Sequence, residues 1–296
     1  MKFVSLAQGQ LAALVGEQVV DIAAAAEYLQ RQLPASTLSQ LVALDDEHAA
    51  AVWDIATAAA AENIACQPYE SATLIAPIAN PARNIMCLGK NYLGHLQEVA
   101  QKMKTSAAVP ESPIIFTKAP SCVIGPGDTI PASEQYTQKL DYEAELAIII
   151  GRGGRDIKAQ DAWQHVFGYT AFNDVTARDL QKNHKQFFKA KSLDGFGPMG
   201  PVVVHRSAMP SAEQLAVKCT INGELRQQAT LDHLIFDIPA IIECLSAGMT
   251  LQPGDIIATG TPEGVGMGFT PPRYLKAGDE VVVEVTGVKP LVNRVA

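Results

Sequence analysis

The sequence predicts a mainly β, α+β fold, on three observations. Short apolar runs rich in Val and Ile, bounded by Gly, Pro or Asn, recur from residue 84 to the C-terminus; Ile114–Lys118, Leu146–Ile150, Ile256–Ala258 and Glu280–Val285 are examples. Asn222-Gly223 between two such runs marks a tight hairpin. Ala- and Leu-rich helical patterns concentrate before residue 63. With 48% hydrophobic and 18% charged residues, the 296-residue chain can bury a sizeable core.

In chain order, Phe3–Leu6 and Leu11–Val15 read as paired strands, followed by Val19–Asp21 and by helices over 23–31, 36–43 and 47–62. Trp53 fills this unit's core, and His48 reads as a solvated helix residue. Pro68, Pro77 and Pro81 mark an exit, dividing a small N-terminal domain, 1–80, from a larger one, 81–296. A strand over 84–88 turns at Gly89. His95 and Glu98 then stand three apart, on one face of a helical turn, where a carboxylate fixes the imidazole tautomer and raises its basicity. An ordinary surface pair has the same spacing. The polar run 99–113 predicts a mobile loop, placed to act as a lid.

Leu140–Ile150 reads as one buried strand. Side chains alternate along it, so Glu143 and Glu145 face the same way. Two such carboxylates need a cation, a shared proton or a solvated face. Asp174 ends the next strand-like run, Gly168–Asp174, and is the third oxygen donor. Such a set suits Mg²⁺, Mn²⁺ or Ca²⁺ and not zinc. The alternatives are a solvated strand end for the glutamates and, for Asp174, the N-cap of a helix over 175–181. Lys185, Lys189 and Lys191 follow, where one could balance the carboxylates. A helix starting at Asp237-Ile238-Pro239 stops at Gly248. The glycine-rich run 260–266 offers amides and the Thr261 hydroxyl to an anionic group; it lacks the Gly-Lys-Ser/Thr of a P-loop.

The net charge is −8, from 23 Lys+Arg against 31 Asp+Glu, which argues against nucleic acid and anionic membrane as partners. No apolar run approaches the roughly 18 residues of a membrane helix. The N-terminus lacks a secretory apolar core. Five widely spaced cysteines without C-x-x-C predict reduced thiols in a cytoplasmic protein.

Five motifs in order resemble the fumarylacetoacetate hydrolase family over roughly 81–296: G-K-N-Y-x-x-H-x-x-E from Gly89, D-Y-E-A-E-L from Asp141, F-N-D-V-T-A-R-D-L-Q from Phe172, K-S-L-D-G-F-G-P-M-G-P from Lys191 and A-T-G-T-P-E-G-V-G from Ala258. The resemblance implies a rolled mixed β-sandwich, usually a homodimer, with a small N-terminal α+β domain that carries none of the chemistry. It implies that Glu143, Glu145 and Asp174 bind a divalent metal, usually Mg²⁺. Lys191 and Gln181 become active-site residues, Gly260 and Thr261 substrate contacts, and His95 with Glu98 a dyad on a lid. Lys118 is carried over on a shorter match, and Lys90 stands at a variable motif position.

Family substrates are small 2-oxo acids, often 2,4-dioxo acids. Three carboxylates and one divalent ion leave one negative charge, so a dianionic substrate calls on Lys191, with Lys118, Lys90 or Arg178. The leading expectation is a hydrolase cleaving an acylpyruvate-type carbon–carbon bond, His95 acting as base on water. A 2-oxo acid decarboxylase comes second, of oxaloacetate for example, and a hydratase or isomerase third. A non-catalytic binder of oxo acids ranks below these.

Overall fold

Three long buried strands, Ala144–Ile150, Val166–Asn173 and Gly197–His205, lie side by side and antiparallel at the centre of a twelve-stranded sheet. All are buried along their whole length, as unbroken apolar runs demand. The computed structural model describes residues 1–104 and 106–296, the side chain of Met103 apart. On one side the sheet continues through Ile256–Ala258, Ile85–Gly89 and Ile114–Lys118; the pairing of Ile257 with Met86 is parallel and the others are antiparallel. On the other side Gly197–His205 pairs with Lys2–Leu6, followed by Leu11–Val15, Gln18–Asp21 and Cys66–Pro68. The sheet is therefore continuous across residue 80. A second, five-stranded sheet carries the hairpin Ala216–Ile221/Glu224–Thr230, then Glu280–Val285, Leu291–Val295 and Thr129–Ile130. Asn222 and Gly223 both have positive φ, 52° and 78°, as the hairpin turn requires. The two sheets face each other across the core, giving the mixed sandwich that the sequence predicts.

Among the described residues the α-helices are α1 Ile22–Tyr28, α2 Leu38–Val42, α3 Asp46–Ala61, α4 Leu93–Met103, α5 Arg178–His184, α6 Phe188–Lys191 and α7 Ile238–Ser246. Helices α1 to α3 lie with the first four strands of the sheet, and Trp53 stands edge-on to Phe3 at 6.3 Å. Helix α7 is capped by Asp237, whose side chain accepts the Ala240 amide.

Three local expectations change. The stretch 140–150 is two strands, Leu140–Asp141 and Ala144–Ile150, because the first turns away to pair with Thr176–Ala177. That pairing also moves the next helix: α5 starts at Arg178 behind Ala177, so Asp174 caps nothing. The predicted loop over 99–113 begins with helix, since Val99 and Ala100 fall three and four residues after Leu96 and all three are buried. Thr105, within that loop, lies outside the described residues.

Candidate active site

The strand break at Tyr142–Glu143 and the end of the strand Val166–Asn173 meet. Ala144 is in register with Asn173, the Asp174 amide donates to the Glu143 carbonyl at 2.8 Å, and the Asn173 side chain accepts the Glu143 amide at 3.1 Å. These bonds bring Glu143, Glu145 and Asp174 together, all buried, with one carboxylate oxygen from each lying within 4.8 Å of the others.

Basic groups surround two of the three. Lys191 Nζ lies 2.8 Å from Glu143, 2.5 Å from Asp174 and 2.8 Å from the Thr176 hydroxyl. Lys118 Nζ, fully buried, donates to Asp174 at 2.6 Å and to the Val175 carbonyl at 3.2 Å. Arg178 bridges Asp141 at 2.8 Å and Glu143 at 2.7 Å, and its Nη1 reaches the Gln181 side chain at 3.3 Å. Its Nη2 is buried without a partner.

The charges respond to this arrangement. Burial alone would raise the Glu143 carboxyl, but Lys191 and Arg178 outweigh it and hold the group well below the usual range. Burial, then the charges of Asp174 and Glu143, push Glu145 well above that range. Glu145 has no ion-pair partner among the described residues and accepts only the Gly260 amide, at 2.8 Å. Burial would lower the Lys191 ammonium, yet Asp174 and Glu143 raise it, so it stays charged. The residues therefore fit a divalent cation: three hard oxygen donors converge in a buried site, and one of them lacks a countercharge.

His95 and Glu98 sit on α4, His95 Nδ1 lying 3.2 Å from Glu98. The other Glu98 oxygen accepts the Gly264 amide at 3.0 Å, and Lys102 Nζ donates to the Phe269 carbonyl at 2.5 Å. The helix is thus tied at two points to the glycine-rich segment. A Cβ on Gly268 would meet the Glu98 carboxylate at 2.0 Å, so a side chain there would displace Glu98 from its place beside His95. A cavity of about 820 Å³ opens between α4 and α5; His95, Glu143, Arg178, Gln181, Lys191 and Thr261 line it.

Of the residues singled out in the sequence, the metal, dyad and substrate candidates come close to this centre, Lys90 and Lys185 line the cavity, and Lys189 is exposed outside it; Gly260 and Thr261 are bonded to the protein's own groups. The amides of the 260–266 loop point to the protein's own carboxylates, Gly260 to Glu145, Gly264 to Glu98 and Gly266 to Asp141. The Thr261 hydroxyl donates to the Ala144 carbonyl and accepts from Gln227. Asp141 escaped sequence reasoning. Fully buried, it accepts Arg178 Nε and the Gly266 and Met267 amides at 2.8, 2.7 and 3.0 Å. Its signal was there: it stands two residues before Glu143 in the same run of alternating acids.

Residues 84–296 match a family model described as the fumarylacetoacetate (FAA) hydrolase C-terminal region. The chain is similar to the oxaloacetate tautomerase YisK of Bacillus subtilis, 53% identical over 222 residues that cover 75% of this chain and 72% of that protein. Of solved structures, a fumarylacetoacetate hydrolase from Exiguobacterium antarcticum superposes with a TM-score of 0.82 at 39% identity, covering 100% of this chain and 99% of that one. A maleylpyruvate hydrolase from Sphingobium sp. SYK-6 gives 0.78 at 29% identity, covering 100% and 99%.

Proposed function

The chain belongs to the fumarylacetoacetate hydrolase family, and on that premise we propose that it is a 2-oxo acid enzyme, a metal-dependent keto–enol tautomerase of oxaloacetate. The observation that carries the reading is the convergence of the three-carboxylate cluster, Arg178 and the His95–Glu98 pair on one cavity. Likeness at 53% identity to a protein named for this reaction favours it over cleavage.

Glu143, Glu145 and Asp174 would hold the ion, Mg²⁺ by family resemblance, which when bound supplies Lewis-acid polarisation of the 2-oxo group. The chain's own groups do the rest. The free Nη2 of Arg178 donates to a substrate carboxylate, while Asp141 and Glu143 fix its guanidinium plane. Glu98 holds His95 Nδ1 and leaves Nε2 to move the proton. Toward the enol, Nε2 takes a proton from C3, the C–H electrons become the C2–C3 double bond as the carbonyl π pair moves onto oxygen, and Nε2 returns the proton to that oxygen. No atom is gained or lost. Lys118 and Lys191 hold Asp174 in place, and Lys191 also holds Glu143.

A second reading, hydrolysis of an acylpyruvate, is supported by the buried, tethered His95–Glu98 pair, which could equally activate water, and by the likeness to maleylpyruvate hydrolase. A reducing, cytoplasmic setting is proposed on the odd number and wide spacing of the five cysteines. A homodimer is included on family resemblance alone. Among the described residues no helix is long and apolar enough to cross a membrane.

The test follows enol absorbance and products together, with Mg²⁺ and with chelator. Tautomerisation consumes oxaloacetate enol faster than buffer does and releases no pyruvate. Release of pyruvate from oxaloacetate would replace it with decarboxylation, and release from acylpyruvates with hydrolysis. No metal-dependent acceleration of any of the three would overturn the reading.

A further inference from the structure

The charge lining the cavity is not that of the chain. Seven Lys and Arg side chains face it against two carboxylates, Glu143 and Asp179, in a protein of net charge −8. Three of the seven are engaged: Lys191 and Arg178 with the carboxylate cluster, Lys102 with Phe269 and Thr270. The other four, Lys90, Lys139, Lys182 and Lys185, have no ion pair or side-chain hydrogen bond among the described residues. Like charges gathered without partners repel one another and cost stability unless an anion joins them.

Their placement is specific. Arg178, Gln181, Lys182 and Lys185 follow the spacing i, i+3, i+4, i+7, so α5 and its C-cap present one nitrogen-rich face to the cavity. Burial decreases along this face, from Arg178 at 8% exposed to Lys182 and Lys185, which are exposed. Arg178 and Lys182 stand four residues apart, a rise of about 6 Å along α5, comparable to the span of a short dicarboxylic acid. Lys185 ends α5 with φ 60° and ψ −40°, locked by the Gln186 amide on the His184 carbonyl at 2.6 Å. Lys90 also has positive φ, 55°. Residues other than Gly, Asn and Asp rarely adopt this backbone.

The geometry points to a distal-anion subsite: Lys182 and Lys185, assisted by Lys139 and Lys90, bind a second carboxylate and make the cavity selective for 2-oxo dicarboxylic acids over 2-oxo monocarboxylic acids. This rests on the proposed function only in placing the 2-oxo end at the carboxylate cluster.

The test is binding, not turnover. With Mg²⁺ and at low ionic strength, calorimetry compares 2-oxoglutarate with 2-oxopentanoate, which share chain length and 2-oxo group and differ in the distal carboxylate. The native chain should bind 2-oxoglutarate about 10-fold more tightly. In Lys182→Gln/Lys185→Gln, and in Lys182→Glu, that ratio should fall toward one through weaker 2-oxoglutarate binding, and added salt should erode the native ratio. Both lysines are exposed, so these variants should fold. A native ratio near one, or a ratio unchanged in the variants, overturns the subsite. If neither 2-oxo acid binds, the proposed function fails instead, and the subsite is read with succinate: binding lost in the double variant upholds it, and absence of binding to the native chain overturns it.

Discussion

The N-terminal edge of the main sheet and the cavity region at its centre were built for different work. Among the described residues, Ser5 is the buried polar or charged residue within 1–80; the others, from Asn91 onward, include Lys118, Arg178, Lys191 and the four carboxylates Asp141, Glu143, Glu145 and Asp174. The first four strands and α1 to α3 pack Val, Ile, Leu and Ala, and their few polar devices are surface caps such as Asp21 on α1 and the Thr37–Gln40 box on α2. The cavity region buries two lysines, an arginine and four carboxylates; pairing outweighs burial at Glu143 and Lys191, and burial wins at Glu145. One region is packed from apolar side chains, and the other holds charges where water cannot screen them.

The sharpest way to break this division is to exchange the costs. Glu145→Gln should abolish metal-dependent activity and tight metal binding while the chain stays folded, because an amide suits this pocket as well as the acid does without metal. Ile55→Ala should do the opposite: about 2–5 kcal/mol of stability lost, with activity per folded molecule unchanged. Calorimetric metal titration and thermal melts on both variants check the pair. A kinetic defect in Ile55→Ala would show that the N-terminal unit contributes to the site.

His95→Ala should lower turnover on the order of 10²–10⁴-fold with metal affinity kept, and Glu98→Gln should lose less, since the imidazole persists. A rate unchanged in His95→Ala would remove the dyad from the chemistry. Asp141→Asn should lose about 10- to 100-fold, as for a group that orients the residues touching substrate. It should also raise hydrogen exchange over 264–268 and α4, because Asp141 ties the Gly266 and Met267 amides to Arg178. An equal kinetic loss with unaltered exchange would confine Asp141 to Arg178.

Much of this was readable beforehand, because alternation and turn chemistry are local. The strand Ile114–Lys118, the Asn222-Gly223 hairpin and the Asp237 cap needed only neighbouring residues. What was not readable depends on pairing at a distance. Nothing local says that Leu140–Asp141 leaves its neighbour to join Thr176–Ala177, yet this splits the strand and shifts the α5 cap from Asp174 to Ala177. The glycine-rich amides looked free for a ligand because the carboxylates that take them, Glu98, Asp141 and Glu145, lie far away in sequence.

The smallest expected effect sharpens the comparison without altering a residue. Glu145 has a native carboxyl raised above its value in the unfolded chain. Such a group contributes stability that is fully present below the ordinary carboxylate range and is lost as pH rises through the raised native value. Glu143 has the opposite sign: its contribution is present above the ordinary range and is lost only as pH falls through its depressed value. From mild acid upward Glu145 therefore dominates this cluster, and the metal-free protein should melt at progressively lower temperature as pH increases. A divalent ion binds the ionised carboxylate and reverses that loss, so the gain in Tm on adding Mg²⁺ should grow over the same interval. Melts across pH in chelator and in Mg²⁺ measure both trends, and Glu145→Gln should flatten them together. A Mg²⁺ gain independent of pH would mean that Glu145 is already ionised in the metal-free site, with a countercharge that the arrangement of Lys191 and Lys118 does not supply.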